Sequence, residues 1–235
     1  MKIGVIGGNG VAATNRLCEM VERKLTAAGA FRDAHHPELL VWQATRAPSR
    51  SMFLEGRGPT WIPDYVEIAK TLRALGCACG CMCCNTAHYA VGRIAEESGL
   101  EFLNLLELTA ASVRALPECE LFCSDGARKF DIYASAFAKC APGTRLRYPS
   151  EARQRRVTET ICAVKTAKRF SGEARDMLLR LIDEAECPVV LGCTDLRVAF
   201  AVDEDLPSRV AADSLECLAD RIVTLSGAGW KERVG

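Results

Sequence analysis

The 235-residue sequence lacks a surplus of either charge: 30 Lys and Arg are balanced by 30 Asp and Glu. Binding to a polyphosphate backbone or an anionic membrane surface needs a basic excess or a polybasic run, and neither is present. No apolar run approaches the roughly 18 residues of a membrane span. The opening residues pass directly into a strand pattern and a glycine turn. They have neither the long apolar stretch nor the small-residue cleavage site of a secretory signal. A cytoplasmic location is the expectation, with no nucleic-acid or membrane partner. Histidine is scarce, at 3 residues, which leaves little imidazole for a metal centre.

Cysteine, by contrast, is plentiful. There are 13, an odd number in a chain whose 49% hydrophobic content can build a sizeable core. That combination argues against a secreted disulfide framework and for reduced thiols. Most should be small buried hydrophobes. Cys81 and Cys84 have a C-x-x-C spacing, but no second such pair is well placed. Alternating cysteines along Cys77 to Cys83 fit one face of a strand packed under a helix. Cys83 and Cys84, as strand neighbours, point opposite ways, which disfavours a disulfide between them.

Strand and helix patterns alternate along the chain. Lys2–Ile6 and Glu38–Trp42 read as strands, with a helix over Thr14–Ala27 between them. Thr45–Pro63 reads as a long loop, of the kind that often carries function. Tyr65–Leu75 reads as a helix, Cys77–Cys83 as a strand, Thr86–Ser98 as a helix, Leu103–Leu106 as a strand and Thr109–Leu116 as a helix. The pattern then restarts. Strands are expected at Glu120–Ser124 and Pro188–Gly192. Helices are expected at Ile132–Ala138, Pro149–Ala167, Gly172–Ala185, Asp195–Ala201 and Asp213–Leu225. This alternation predicts an α/β fold with mainly parallel sheets.

Two segments repeat across the halves: Cys84-Asn85-Thr86 and Cys193-Thr194-Asp195, 109 residues apart. Each follows an apolar strand and opens a helix. Such a duplication predicts two pseudo-symmetric three-layer domains with one thiol on each side of a cleft. We divide the chain into 1–108 plus 209–235, and 109–208, with the closing helix returning to the first domain. Parallel sheets bind ligands beyond the carboxyl ends of their strands, where both cysteines fall. A helix N-terminus there would favour a thiolate, and backbone N–H groups of Asn85, Thr86, Thr194 and Asp195 could hold a carboxylate. Two thiols on opposite faces of one carbon suit inversion: one removes a proton and the other returns one.

The same residues resemble the aspartate/glutamate racemase superfamily, and its aspartate racemase branch most closely. Gly7-Gly8-Asn9-Gly10 with Thr14 resembles the family's G-G-x-G…T. Met82-Cys83-Cys84-Asn85-Thr86-Ala87-His88 resembles M-P-C-N-T-A-H, and Leu191-Gly192-Cys193-Thr194-Asp195-Leu196 resembles x-G-C-T-E-L. The resemblance implies a racemase free of pyridoxal and metal, with Cys84 and Cys193 as acid/base thiols. It places Asn9, Asn85, Thr86, Ser124 and Thr194 around the substrate, and Arg50 and Lys165 at a distal carboxylate. Arg46 is the nearest rival of Arg50. An arginine fork and a lysine charge favour aspartate or glutamate over a neutral amino acid. The family's homodimer is a possible assembly.

Some positions depart from that pattern. Cys83 and Val11 replace prolines and Asn9 replaces a methionine. The second-domain T-x-G-T loop is Ser124-Asp125-Gly126-Ala127, where Asp125 brings a negative charge toward an anion site. Two rival readings follow. One is a related enzyme on neutral amino acids, hydantoins or maleate. The other is a non-catalytic ligand-binding or thiol-sensing protein. A metal centre at the cysteine run, a nucleotide at the glycine turn and a catalytic role for His88 are the weaker readings.

Overall fold

The computed structural model describes residues 1–230, and side chains through residue 227. The first half runs β1 (Lys2–Gly7), α1 (Val11–Ala27), β2 (Glu38–Gln43), α2 (Arg50–Leu54), α3 (Ile62–Ala74), β3 (Cys79–Met82), α4 (Val91–Ser98) and α5 (Leu105–Ser112). The second runs β4 (Glu118–Phe122), α6 (Asp125–Lys129), α7 (Ala134–Cys140), β5 (Arg145–Arg147), α8 (Glu151–Val164), α9 (Glu173–Asp183), β6 (Val189–Leu191), α10 (Thr194–Arg197), β7 (Val210–Asp213) and α11 (Ser214–Trp230).

All described strand pairings are parallel. The first sheet has the order β2-β1-β3 and the second β5-β4-β6-β7. Each half therefore sets its first strand between its second and third. In each half it is the third strand, β3 or β6, that leads into a Cys84- or Cys193-type turn. Ile6 pairs with Met82, and Phe122 with Leu191, so the strand ends that carry the two thiols are aligned with the central strands.

Period-2 alternation on these strands divides the core. Ile3 and Val5 of β1, Cys81, Phe122, Val189 and Leu191 join α1, α8, α9 and α11 in one cluster that spans both halves. Ile6 and Met82 face the other way, onto α3 and α4. Cys119, Leu121 and Val190 face α5 and α7. Of the cysteines on β3, Cys81 is buried in the shared cluster, with Cys79 packed against it. All 13 cysteines are free thiols.

Local chemistry explains where the elements differ from expectation. The loop expected over 45–63 contains α2, because Ser49 caps it by accepting the Met52 N–H. The strand expected at Leu103–Leu106 is reduced to one bridge, between Gly80 and Phe102. The Asn104 side chain accepts the Leu106 and Glu107 N–H groups and starts α5 four residues before the expected helix. The helix expected over 86–98 breaks into a 3₁₀ turn at Thr86–Ala90 and α4. β5 and β7 are strands of three and four residues that sequence periodicity did not mark. β7 pairs with β6, so the chain leaves the second sheet after residue 208, later than the expected boundary. Next, α11 packs on α1, where Lys24 bonds Glu216 at 2.9 Å and Asp220 at 2.8 Å. Residues 231–235 of the expected first-domain segment lie outside the described residues. Among the described residues, no helix is long and apolar enough to cross a membrane.

Candidate active site

Cys84 and Cys193 line one small cavity of about 80 Å³ between the carboxyl ends of the two sheets. Both side chains are partly exposed to it, while the adjoining Cys83 is fully buried. The strand alternation that turns Cys83 into the core turns Cys84 toward the cleft.

Hydrogen bonds between the halves brace the Cys84 turn. The Thr194 hydroxyl donates to the Cys83 carbonyl at 3.0 Å. The Asn85 amide donates to Ser214 Oγ at 3.0 Å, and its Oδ1 accepts from the Tyr133 hydroxyl at 2.5 Å. Thr86 Oγ1 and Ser124 Oγ lie 3.0 Å apart. The Asn85 side chain is thus committed within the protein, and its backbone is what it can offer a ligand. The Thr86–Ser124 pair shares one proton between its two oxygens, which leaves a second hydroxyl proton to donate into the cavity.

His88 does not face a reacting atom. Its Nδ1 meets the Cys84 carbonyl at 2.8 Å, and its Nε2 accepts the Leu105 N–H at 3.1 Å. Accepting at Nε2 fixes the neutral tautomer with the proton on Nδ1. Burial lowers its pKa to about 4. His88 is a strut beneath Cys84.

The polar wall comes from four segments. Asn9 follows β1 in a turn where Gly8 takes φ 81° and donates its N–H to Thr14 Oγ1 at 3.1 Å. Only glycine enters that backbone region freely. The Asn9 amide bonds the Tyr65 hydroxyl, and its Oδ1 is buried without a partner. Arg50, at the start of α2, gives Nη1 to the Pro48 carbonyl at 2.8 Å, while its buried Nε has no partner. Arg46, its rival, lines a separate cavity with Trp42 and Glu67. Lys165, at the end of α8, sits 3.1 Å from Asp195 Oδ2. Asn9, Arg50, Lys165 and Asp195 also line a larger outer cavity of about 470 Å³, so they form the threshold between the two.

Every residue expected around the substrate therefore borders the small cavity: Asn9, Arg50, Asn85, Thr86, Ser124, Lys165 and Thr194, with Cys84 and Cys193. The sequence reading missed the Asp195 side chain, which it used only for its N–H. It also missed Ser49 and Ser51, whose approach depends on the unforeseen α2. Asp125 does not reach the cavity. Its Oδ1 accepts from Gln154 Nε2 and Thr158 Oγ1, both at 2.9 Å, which turns the charge onto α8. Among the described residues, no group of three or more His, Cys, Asp or Glu is arranged to hold a metal ion.

One electrostatic expectation is reversed. Cys193 was expected to gain thiolate character from the helix it opens. Instead, burial pushes its pKa up and the Asp195 carboxylate adds to the effect, against Lys165 and the Asp195 N–H. The reason is the length of α10, which is four residues. So few aligned peptide dipoles cannot offset desolvation and a neighbouring charge.

Known proteins share this fold. A family model described as Asp/Glu/Hydantoin racemase matches residues 3–222. Among solved structures, the aspartate racemase of Picrophilus torridus superposes with a TM-score of 0.77 at 22% identity, over 96% of this chain and 94% of that one. The glutamate racemase of Thermus thermophilus gives 0.66 at 17%, over 97% and 80%. The allantoin racemase of Klebsiella pneumoniae gives 0.57 at 13%, over 97% and 89%. At these identities the likeness is one of fold. The family match covers nearly the whole chain, both cysteine turns included, and the chain belongs to the Asp/Glu/Hydantoin racemase family.

Proposed function

We propose that the protein interconverts the enantiomers of an acidic amino acid, aspartate or glutamate, by proton transfer between Cα and two thiols, without pyridoxal phosphate or a metal. The observation that carries this reading is one small cavity bordered by Cys84, Cys193 and Arg50, with the buried Nε of Arg50 unpartnered.

The chemistry follows from the residues. The substrate sits with Cα between the thiols. For one enantiomer Cys84 is the base and Cys193 the acid, the role that burial of the Cys193 thiol favours. The Cα–H bond breaks and its proton goes to Cys84 sulfur. The electron pair left on Cα spreads into the α-carboxylate. The Thr86–Ser124 hydroxyls and the backbone N–H groups of Asn85 and Thr194 receive that growing charge, and their hydrogen bonds strengthen as it grows. Cys193 then gives its proton to the opposite face. The other enantiomer uses the reverse assignment. Arg50 takes the distal carboxylate, with Lys165 adjoining it.

Solvent-exchange measurements test this. The reduced protein is incubated in D2O with each enantiomer of aspartate and glutamate, without pyridoxal phosphate. Deuterium should enter Cα with inversion, and Cys84→Ala and Cys193→Ala should each abolish racemisation. Absence of exchange with both acids would overturn the acidic-substrate reading. Exchange only with neutral amino acids would move the function to that branch of the family.

A further inference from the structure

The cavity that holds the thiols is small, about 80 Å³. Asn9, Arg50, Lys165 and Asp195 border both it and the outer chamber of about 470 Å³. A side chain carried past those four residues would have the outer chamber to occupy.

The charges around the outer chamber are unevenly committed. Lys165 is neutralised by Asp195 at 3.1 Å. Asp195 is the one carboxylate among the described residues lining the chamber. Arg50 bonds through Nη1, and its buried Nε has no partner. Arg169, on the turn after α8, also lines the chamber. Among the described residues its guanidinium has no hydrogen bond or ion pair. It stacks on the Phe170 ring, 4.4 Å from the centroid. Stacking orients the guanidinium plane while leaving its N–H edge unsatisfied. The outer chamber is thus a walled space that holds an arginine without a direct hydrogen bond or ion pair and shares Asn9, Arg50, Lys165 and Asp195 with the thiol cavity.

We infer that the preferred substrate is an α-amino diacid with a side chain longer than that of glutamate, its terminal carboxylate reaching Arg169 in the outer chamber. This rests on the two-thiol racemase reading and refines its substrate class. Arg50 meets the side chain midway or takes the carboxylate of a shorter acid. Arg169 makes the charge-assisted contact that only a longer chain attains.

A homologous series tests it, with α-deuterium exchange in D2O as the readout: L-aspartate, L-glutamate, L-2-aminoadipate and L-2-aminopimelate. The wild-type protein should exchange the six- or seven-carbon acid with a higher kcat/KM than aspartate or glutamate. In Arg169→Gln the ratio of kcat/KM for 2-aminopimelate over aspartate should fall at least tenfold, and Arg169→Lys should restore part of it. If aspartate and glutamate exchange and the longer acids do not, the proposal is overturned while the racemase reading stands. If Arg169→Gln lowers all four acids by one common factor, the arginine steers anions and does not read length, which also overturns it. If none of the four exchanges, the acidic racemase reading fails and takes this inference with it.

Discussion

Lys165 Nζ and Asp195 Oδ2 stand 3.1 Å apart on the wall that the inner and outer cavities share. The pair links α8 to the turn that carries Cys193, so the charge state of the threshold and that of the thiol are coupled. The Asp195 carboxylate raises the Cys193 pKa. Removing that charge by Asp195→Asn should therefore move Cys193 ionisation to lower pH. Alkylation of Cys193 by iodoacetamide, followed by mass spectrometry against pH in a Cys84→Ala background, reads this directly. An unchanged or upward-shifted profile would show that burial alone governs the thiol.

His88 gives a second prediction. It holds the Cys84 carbonyl and the Leu105 N–H on opposite sides of one ring, and it stays neutral down to about pH 4. His88→Ala should lower kcat on the order of 10²-fold through misplacement of Cys84. It should also cost about 1–3 kcal/mol of stability, by leaving the buried Leu105 N–H unpaired. Because the ring never titrates near neutrality, the wild-type pH–rate profile should have no limb that His88→Ala removes between pH 5 and 8. Loss of such a limb would make His88 a proton carrier.

The buried thiols predict alkaline sensitivity. Burial raises Cys119 and Cys123 to about 12. Once unfolded, these groups lose protons near pH 8.5, the ordinary thiol value. Above that pH the folded state binds more protons than the unfolded one, so stability falls as pH rises. The slope is about 1.4 kcal/mol per pH unit for each such thiol, and it continues until the folded pKa is reached. Urea midpoints measured from pH 8 to 10.5 under reducing conditions should decline steadily, and replacing Cys119 and Cys123 by Ala should flatten the slope. A flat wild-type profile would count against burial of the protonated thiols.

Arg197 and Asp213 supply the fourth. Both are buried, with Nε 3.3 Å from Oδ2 and without an aligned hydrogen bond between them. Arg197 also donates to the Ala201 and Val202 carbonyls. Burial raises Asp213 to about 7 even beside this arginine. Arg197→Met should cost about 3–5 kcal/mol by stranding the carboxylate. The loss should be smaller at pH 5 than at pH 8. Without the arginine the folded pKa rises further, so stability drains as pH climbs from the unfolded carboxyl value through the folded one. Denaturation at the two pH values checks both the size and the sign.

Strands and long helices were legible because apolar periodicity and glycine stops are local signals. The paired thiols were legible because two similar turns each followed an apolar strand. Arg50 was separable from Arg46 only by position in the family pattern. The structure separates them: Arg50, on α2, lines the thiol cavity, and Arg46 lines another with Trp42 and Glu67. What stayed hidden depends on partners remote in sequence. Asp195 matters through Lys165, 30 residues earlier. Asp125 is harmless because Gln154 and Thr158 draw it aside. The short strands β5 and β7 carry too few residues for any period to show, and their pairing with β4 and β6 is what defines them.

The bracing of the Cys84 turn bears on how such a protein can change by recombination. Asn85 is held by Tyr133 and Ser214, Thr86 by Ser124, and the Cys83 carbonyl by Thr194. All four supporting residues belong to the part of the chain after residue 120. A crossover that joins the first half of this protein to the second half of a relative inherits the thiol without its supports. Viable chimeras must therefore carry Ser124, Tyr133, Thr194 and Ser214, or equivalents, as one block. The two halves diverge as a linked pair, as the core cluster that joins both sheets also requires.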